Sequence, residues 1–263
     1  MIAMPIDFHS SQNRLSYTGR TADRTWRDGM QSAVQAAGMR VVDVGCGGGI
    51  YARAWAELGA AQVTGVDSSA VMVDAARECC ADLANVSFHQ ANALSTGLPD
   101  GLADLVFARA LIHHLPDLSP FFHEARRMLV AGGVLLIQDR TPGDVLLPAS
   151  PDHVRGYFFE CFPQLVQVEL ERRKDVSDVS RTLVINGFMD VQSITLWETR
   201  RIYDSFAEFA DDVRARTGRS LLHELSDGQL ELLIDHMRTQ LPADGLIVER
   251  DRWTVWRAYA KVL

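Results

Sequence analysis

The sequence predicts an α/β fold, a doubly wound sheet of mostly parallel strands, and three patterns indicate it. Short apolar runs alternate with helical patterns along residues 22–139, as in sheets whose strands are joined by crossover helices. A glycine-rich turn at residues 45–49 leads from the first apolar run into a helical pattern. Asp67 ends the next apolar run, at the edge of the sheet where ligands of such folds collect.

The hydrophobic periodicity sets the expected order of elements. Helices are predicted over 22–37, 48–58, 69–81 and 119–130, and strands over 40–44, 62–67, 86–90, 103–107 and 133–139. Ile50, Ala54 and Leu58 give the helix after the glycine turn one apolar stripe that faces the sheet. Ser119 is expected to cap the helix at 119–130, with Pro120 at its first position, where a missing N–H costs little.

The rhythm changes after Thr141. Helical segments are predicted near 151–172 and 175–186, and an extended stretch around 189–199. Two capping boxes then open apolar periodic runs, and they lie at residues 205–208 and 226–229. The second run presents one apolar face: Leu230, Leu233, Ile234, Met237 and Leu241. Residues 246–259 are rich in β-branched and aromatic side chains, which predicts a final strand.

The glycine turn and Asp67 have the layout of a nucleoside-binding βαβ unit. Gly45, Gly47 and Gly49 lack Cβ, so the backbone can turn tightly and a ligand can approach it closely. The helix that follows offers unpaired N–H groups to an anion. The two oxygens of Asp67 can accept both hydroxyls of a ribose and would repel a 2′-phosphate.

The turn nevertheless departs from the dinucleotide fingerprint Gly-x-Gly-x-x-Gly, because position 50 is isoleucine and Asp43 precedes the first glycine by two residues. In these residues the chain resembles the class I S-adenosylmethionine-dependent methyltransferases, whose first motif is Asp-x-Gly-x-Gly-x-Gly. Asp43, Gly45, Gly47 and Gly49 match that motif position by position.

Other landmarks of that family follow in order over residues 38–140. Asn92 and Ala93 stand where the family usually has Asp-Ala beside the adenine, and the asparagine carbonyl can still accept from the adenine amino group. Residues 98–107 resemble the fourth strand, 110–116 its following loop, and 129–137 the glycine turn and fifth strand. The likeness is greatest to the small-molecule branch. It implies a seven-stranded Rossmann-like sheet that ends in an antiparallel hairpin.

The resemblance also implies S-adenosylmethionine as cofactor and S-adenosylhomocysteine as product. The residues assigned to the cofactor are Tyr17, Arg20, Asp43, Gly45, Cys46, Gly47, Gly49, Asp67, Ser68, Met72, Asn92, Ala93 and Arg109. Tyr17 and Arg20 are included because a phenol and a guanidinium can both bind a carboxylate. Arg109 would act through its backbone carbonyl, and Tyr17 and Arg20 either fold over the cofactor carboxylate or pack as an N-terminal arm. His113 and His114 are the candidate bases, and at most one of them is expected to reach the cavity.

Three parts are expected along the chain. They are an N-terminal arm and helix (1–37), a cofactor-binding core (38–199 and 246–263), and a helical lid (200–245) inserted between the last two strands. Long insertions near sites tend to be functional. The aromatic groups at 157–163 and 253–256 are expected in the core. Residues 138–140 are expected either to orient a substrate or to hold their loop.

Composition narrows the function further. A net charge of −8 and a pI near 5.5 disfavour nucleic acid as a partner. The sequence has no spanning apolar run and no basic-flanked leader, which predicts a cytoplasmic protein, and its cysteines and histidines show no metal-site spacing. The expected function is methyl transfer to a small molecule. The alternatives are a nicotinamide-dependent oxidoreductase and a non-catalytic S-adenosylmethionine-binding protein, and the oligomeric state stays open.

Overall fold

The computed structural model describes residues 21–242 and 244–261, whose strands form one seven-stranded sheet in the order β3-β2-β1-β4-β5-β7-β6. The strands are β1 (Arg40–Val44), β2 (Gln62–Asp67), β3 (Val86–Gln90), β4 (Ala103–Arg109), β5 (Leu129–Asp139), β6 (Phe188–Tyr203) and β7 (Ile247–Ala260). Neighbouring strands from β1 to β5 pair in parallel, whereas β7 runs antiparallel to both β5 and β6. The predicted fold class is confirmed. Tyr17 and Arg20 lie outside the described residues.

The helices are α1 (Arg24–Ala33), α2 (Ile50–Glu57), α3 (Ala70–Cys79), α4 (Ser119–Met128), α5 (Pro142–Val145), α6 (Arg155–Cys161), α7 (Gln164–Leu170), α8 (Val176–Ile185), α9 (Phe206–Arg214) and α10 (Asp227–Gln240). The helical segment predicted near 151–172 consists of two separate helices, α6 and α7. Phe162 leaves the helical region (φ −132°, ψ 77°) directly before Pro163, as the ring of a following proline requires. No helix among the described residues is both long and apolar enough to cross a membrane.

Of the three predicted helix caps, one forms completely, one forms in part and one does not form. Ser226 and Gln229 form the reciprocal capping box of α10. At α9, the Ser205 hydroxyl accepts the Glu208 N–H, but the Glu208 carboxylate accepts from Asp204 N instead of closing the box. Ser119 does not cap α4, since it lies inside the helix and Leu118 is at the N-cap. There the Asp117 carboxylate accepts the Ser119 N–H at 3.0 Å.

Apolar side chains fill both faces of the sheet. Alternate residues of a strand point to opposite faces, so Val41 packs with α1, α2 and α3 whereas Val42 packs with α4 and α8. Trp26 on α1 meets the Trp55 and Phe107 rings edge to face at 5.2 and 5.9 Å. These contacts join α1 to the core.

A third apolar cluster joins α6, α7, α9 and α10, and we call these four helices the helical cap. Its buried members include Phe158, Phe209 and Leu233, together with Tyr203 and Ile247 at the adjoining ends of β6 and β7. The aromatic residues at 157–163 therefore belong to a core, as predicted, but to the core of the cap. The cap combines the segment after β5 with the insertion between β6 and β7.

Candidate functional site

A cavity of about 610 Å³ lies at the carboxyl ends of β1, β2 and β4. This volume is within the range of small-molecule sites, about 300 to 1,000 Å³. Its lining has two halves. The first, which we call the glycine cradle, consists of Asp43, Gly45, Cys46, Gly47, Asp67, Ser68, Met72, Asn92 and Ala93. The second, which we call the basic wall, contains His113, His114, Arg140, Arg155, Arg172, Arg173, Asp251 and Trp253.

Left-handed glycines shape the cradle. The φ angles of Gly45, Gly47 and Gly49 are 75°, 50° and 82°, a conformation that side chains with a Cβ rarely adopt. A Cβ added at Gly47 would meet nothing within 4 Å, so this part of the backbone is open to a ligand. Gly49 is different, because a Cβ there would come within 3.1 Å of the Ala76 Cα. Gly49 lies at the N-cap of α2 and is not in the cavity lining.

Asp67 fixes the turn from the neighbouring strand. Its Oδ2 accepts the Gly47 N–H and its Oδ1 accepts the Ser69 N–H, each at 2.9 Å. An ionised carboxylate has about four acceptor positions, so Asp67 retains capacity for ligand hydroxyls. Asn92 follows β3, and its side-chain oxygen accepts the Leu94 N–H at 2.9 Å. The structure therefore brings the glycine turn, Asp67 and Asn92 to one cavity.

Asp43 is a buried carboxylate with one oxygen that receives no hydrogen bond from the described residues. It is 1% exposed, and its Oδ2 has no hydrogen-bond partner among the described residues. Burial and the nearby Asp67 raise the pKa of Asp43 to about 7, against the attraction of Arg109. Buried polar atoms are normally satisfied. This end of the cavity is therefore suited to a ligand group that is cationic or donates a hydrogen bond.

The Arg109 side chain, which the sequence left unassigned, belongs to a buried network. Its Nη2 donates to Glu198 Oε2 at 2.8 Å, and its guanidinium lies 4.3 Å from the Tyr51 ring centre and 4.1 Å from that of Trp253. Gln138 Nε2 also donates to Glu198, at 2.9 Å. Gln138 in turn accepts a hydrogen bond from the Trp26 indole, so it links β5 to both α1 and β6. Gln138 does not line the cavity.

The aromatic group at 253–256 is buried, and one of its members also faces the cavity. Trp253 and Trp256 are three apart on β7, so they point to opposite faces and join the core clusters on the two sides of the sheet. The expectation that this group lies in the core is therefore confirmed. Trp253 also lines the cavity, with the Arg140 guanidinium 3.8 Å from its ring centre.

Both histidines line the cavity, so the expectation that at most one reaches it is wrong. The chain makes a 3₁₀ turn over Ile112–His114, in which successive side chains are about 120° apart rather than opposed. The two imidazole centres are 3.9 Å apart. Burial lowers the pKa of His113, and burial together with His113 lowers that of His114 to about 3.

Asp139 holds the His113 ring in place. Its carboxylate oxygens lie 3.0 and 2.9 Å from His113 Nδ1, and Oδ2 also accepts the His113 backbone N–H at 3.2 Å. A carboxylate at Nδ1 selects the tautomer protonated there. Nε2 of His113 is then the basic nitrogen of the ring.

Sequence reasoning missed three of the four arginines in the basic wall. Arg155 begins α6, and Arg172 and Arg173 directly follow α7. These arginines belong to no sequence motif. The one feature that could have indicated them is that charged residues occur in a segment whose other residues are apolar enough to be buried. Gly218 and Ser220, from the chain between α9 and α10, also line the cavity. The cap therefore contributes to the site.

Residues 42–137 match the family model described as a methyltransferase domain. Together with the motif geometry of the cradle, this match identifies residues 42–137 as a methyltransferase domain of the class I S-adenosylmethionine-dependent type.

Two curated relatives of this chain illustrate the range of methyltransferases that it resembles. It is 36% identical to the 27-O-demethylrifamycin SV methyltransferase of Amycolatopsis mediterranei, over 44% of this chain and 42% of that one. It is 41% identical to a trans-aconitate 2-methyltransferase of Azoarcus, over 37% of this chain and 38% of that one. The chain thus spans less than half the length of these relatives.

The fold likeness extends beyond the sequence match. A phosphoethanolamine N-methyltransferase 2 from Haemonchus contortus, in complex with phosphomonomethylethanolamine and S-adenosylhomocysteine, superposes with a TM-score of 0.62. The match is 19% identical and covers 98% of this chain and 61% of that chain. At this identity the comparison shows the shared fold alone.

Proposed function

We propose that this protein binds S-adenosylmethionine in the glycine cradle and transfers its methyl group to a small-molecule acceptor. The observation that carries the proposal is the meeting of the open glycine turn, the unpartnered Asp43 oxygen and Asp67 in one cavity of a methyltransferase fold. The curated relatives that act on small molecules support the acceptor class.

The residues of the cradle fit this cofactor. Asp67 would hold the ribose hydroxyls through its remaining lone pairs. The Oδ2 atom of Asp43, which has no hydrogen-bond partner among the described residues, would accept from the cofactor ammonium together with the Arg109 backbone carbonyl. Gly47 leaves room for close approach, while Met72 and Asn92 would lie beside the adenine. Gly49 would act only by shaping the turn, since it is outside the lining.

S-adenosylmethionine supplies a methyl group activated by a positive sulfur. The protein must then hold the acceptor in line and keep water out, which can supply much of the rate enhancement. For an acceptor that loses a proton, we assign the base to Nε2 of His113, and Asp139 is its positioning residue. His114 is less suited, because its pKa of about 3 makes it a weak base.

We also propose that the helical cap is a lid over the acceptor. The insertion at 200–245 was expected in this role, and the positions of Gly218 and Ser220 in the lining support it. The segment of α6 and α7 shares the buried cluster of the insertion, so the proposed lid is larger than expected. The N-terminal helix α1 is not part of the proposed lid, because it packs into the core of the sheet through Trp26.

A thermal-shift titration tests cofactor binding. A ligand at a hundred times its dissociation constant stabilises the native state by about 2.7 kcal/mol. We expect a rise in melting temperature with S-adenosylmethionine and S-adenosylhomocysteine, and none with NAD. A rise with NAD alone would contradict the proposal and favour the oxidoreductase alternative.

The transfer step is tested by S-adenosylhomocysteine formation with a panel of metabolites. With an acceptor that must lose a proton, His113→Gln should lower kcat by about 10²- to 10⁴-fold and leave cofactor affinity unchanged. The matched control is His89→Gln, on the exposed end of β3, which should retain full activity. Full activity of His113→Gln would reject the base assignment. No turnover with any acceptor would favour the non-catalytic alternative.

A further inference from the structure

The basic wall holds more positive than negative charge. Four guanidinium groups, on Arg140, Arg155, Arg172 and Arg173, line the cavity. The carboxylates that face them are Asp139, Glu169 and Asp251. With both histidines neutral, one positive charge in this half of the cavity has no counter-charge among the described residues.

The contacts show how the three carboxylates are shared. Glu169 pairs with Arg172, accepts from Arg173 at 2.7 Å, and lies 4.0 Å from Arg155. Arg173 also reaches Asp139 at 3.1 Å, although that carboxylate already holds His113. Glu169 and Asp139 are therefore each already shared between two or more groups, and neither can balance a further arginine.

The Asp251 side of the wall is equally crowded. Asp251 pairs with both Arg140 and Arg155, the latter at 3.4 Å. Burial, together with repulsion from Arg155 and Arg173, lowers the pKa of Arg140 to about 9 despite the attraction of Asp251. The Nε atoms of Arg140 and Arg172 are buried without a hydrogen-bond partner among the described residues. These guanidiniums therefore have unused donors as well as unbalanced charge.

A second arginine cluster of this protein shows that the imbalance is not general. Arg200, Arg201 and Arg219 face an equal number of carboxylates, Glu208, Asp212 and Glu249. That cluster lies where α9 of the cap meets β6 and β7, and none of its members lines the cavity. Charges are therefore matched in that cluster and unmatched in the basic wall.

We propose that the methyl acceptor carries a carboxylate group that binds against the basic wall. Guanidinium groups bind carboxylates through paired, charge-assisted hydrogen bonds, and one carboxylate supplies the one missing negative charge. A phosphate dianion would supply too much. The inference rests on the proposed methyltransferase function and specifies its acceptor.

The test is calorimetric titration of the protein saturated with S-adenosylhomocysteine. The probes are salicylate and malate, their neutral counterparts salicylamide and malamide, and phenyl phosphate. We expect saturable binding of at least one carboxylate, about tenfold or more tighter than its amide, as expected for a hydrogen bond to a charged group. Phenyl phosphate should bind more weakly than salicylate.

The matched variants are Arg172→Gln in the wall and Arg181→Gln on α8. Without Arg172, Glu169 still has two arginine partners, so the fold should survive. Arg181 is exposed, and among the described residues it pairs with Asp178. Arg172→Gln should weaken carboxylate binding about tenfold and leave S-adenosylhomocysteine affinity unchanged, and Arg172→Lys should restore part of the loss. Arg181→Gln should change neither.

Three outcomes would overturn the inference. They are no saturable binding of either carboxylate, equal binding of carboxylates and amides, and equal carboxylate affinity in Arg172→Gln. A preference for phenyl phosphate would overturn the carboxylate assignment in favour of a phosphate. Failure of the protein to bind S-adenosylhomocysteine at all would instead reject the proposed function, which is measured separately in the first titration.

Discussion

The two halves of the cavity hold their carboxylates in opposite states. In the glycine cradle, burial and Asp67 raise the pKa of Asp43 to about 7. In the basic wall, burial also opposes ionisation, but His113 and Arg173 lower the pKa of Asp139 below its usual range. The arginines likewise lower the pKa values of Glu169 and Asp251. One half lacks a cation and the other lacks an anion.

This difference indicates what each half needs from its ligand. A carboxylate without a partner is costly in a low-dielectric site, and so is a surplus guanidinium. The proposed cofactor would bring positive charge to the cradle, and the proposed acceptor would bring negative charge to the wall. The cavity is thus complementary to a pair of ligands of opposite charge.

The largest expected effect concerns the wall. Asp139→Asn should lower the free energy of unfolding by about 3 to 5 kcal/mol near neutral pH, because it leaves buried cations with too few partners. Urea denaturation measures the change. The pKa of Asp139 is lowered from 3.8, so its stabilisation is complete above the usual Asp range and is lost as the pH falls through the folded-state value. Variant and wild type should therefore converge in acid.

The control for that variant is Asp74→Asn, an exposed carboxylate on α3 that pairs with Arg77. Surface substitutions of this kind usually change stability by less than about 0.5 kcal/mol. If Asp139→Asn cost no more than this control, the wall would not depend on its charge balance.

The next largest effect concerns the cradle. Asp67→Ala should weaken S-adenosylhomocysteine binding about a hundredfold, since the sugar hydroxyls lose a shared charged acceptor. The turn would also lose its bond from Gly47. Calorimetry measures the dissociation constant, with Asp74→Ala as the control. An unchanged affinity would show that this carboxylate does not hold the sugar.

Asp43 should make cofactor binding depend on pH. Below its pKa of about 7, the carboxyl must release its proton to meet a cationic group, so affinity for S-adenosylhomocysteine should fall about tenfold per pH unit. Asp43→Asn should bind more weakly near pH 8 and show a flat profile. A pH-dependent profile in that variant would assign the titration to another group.

The same raised pKa predicts the stability of the ligand-free protein. The folded state retains the Asp43 proton more strongly than the unfolded state does, so this contribution is complete at low pH and is lost as the pH rises from 3.8 towards about 7. Asp43→Asn should therefore melt at a higher temperature than wild type near pH 8. The two should melt alike in acid.

The smallest expected effect is a loss of stability in the cap that leaves cofactor binding in the cradle unchanged. Ser226→Ala removes the capping box of α10 and should cost about 1 kcal/mol, or about 2 to 4 °C in melting temperature. S-adenosylhomocysteine affinity should not change, because α10 contributes to the cap alone. Ser180→Ala, whose exposed hydroxyl bonds only Val176 within α8, is the control. Equal melting temperatures of the two variants would show that this capping box does not stabilise the cap.

Local patterns predicted the cradle because its residues follow one another along the chain. Gly45, Gly47 and Asp67 belong to one βαβ unit, and β2 and β3 begin and end where the periodicity placed them. The wall could not be predicted in this way. Arg140, Arg172 and Asp251 come from three separate segments, and nothing in the pattern of any one segment indicates that they meet.

The sequence by itself determined the order of the strands and helices, the glycine turn and the acid at the tip of β2, because these follow from backbone conformation and short-range periodicity. The tertiary structure alone decided that His113 and His114 both reach the cavity, that Trp253 lines the cavity as well as packing in the core, and that surplus arginines face the open space. Ionisation and charge balance depend on burial and on neighbours distant in the chain. Such properties exist only once the chain has folded.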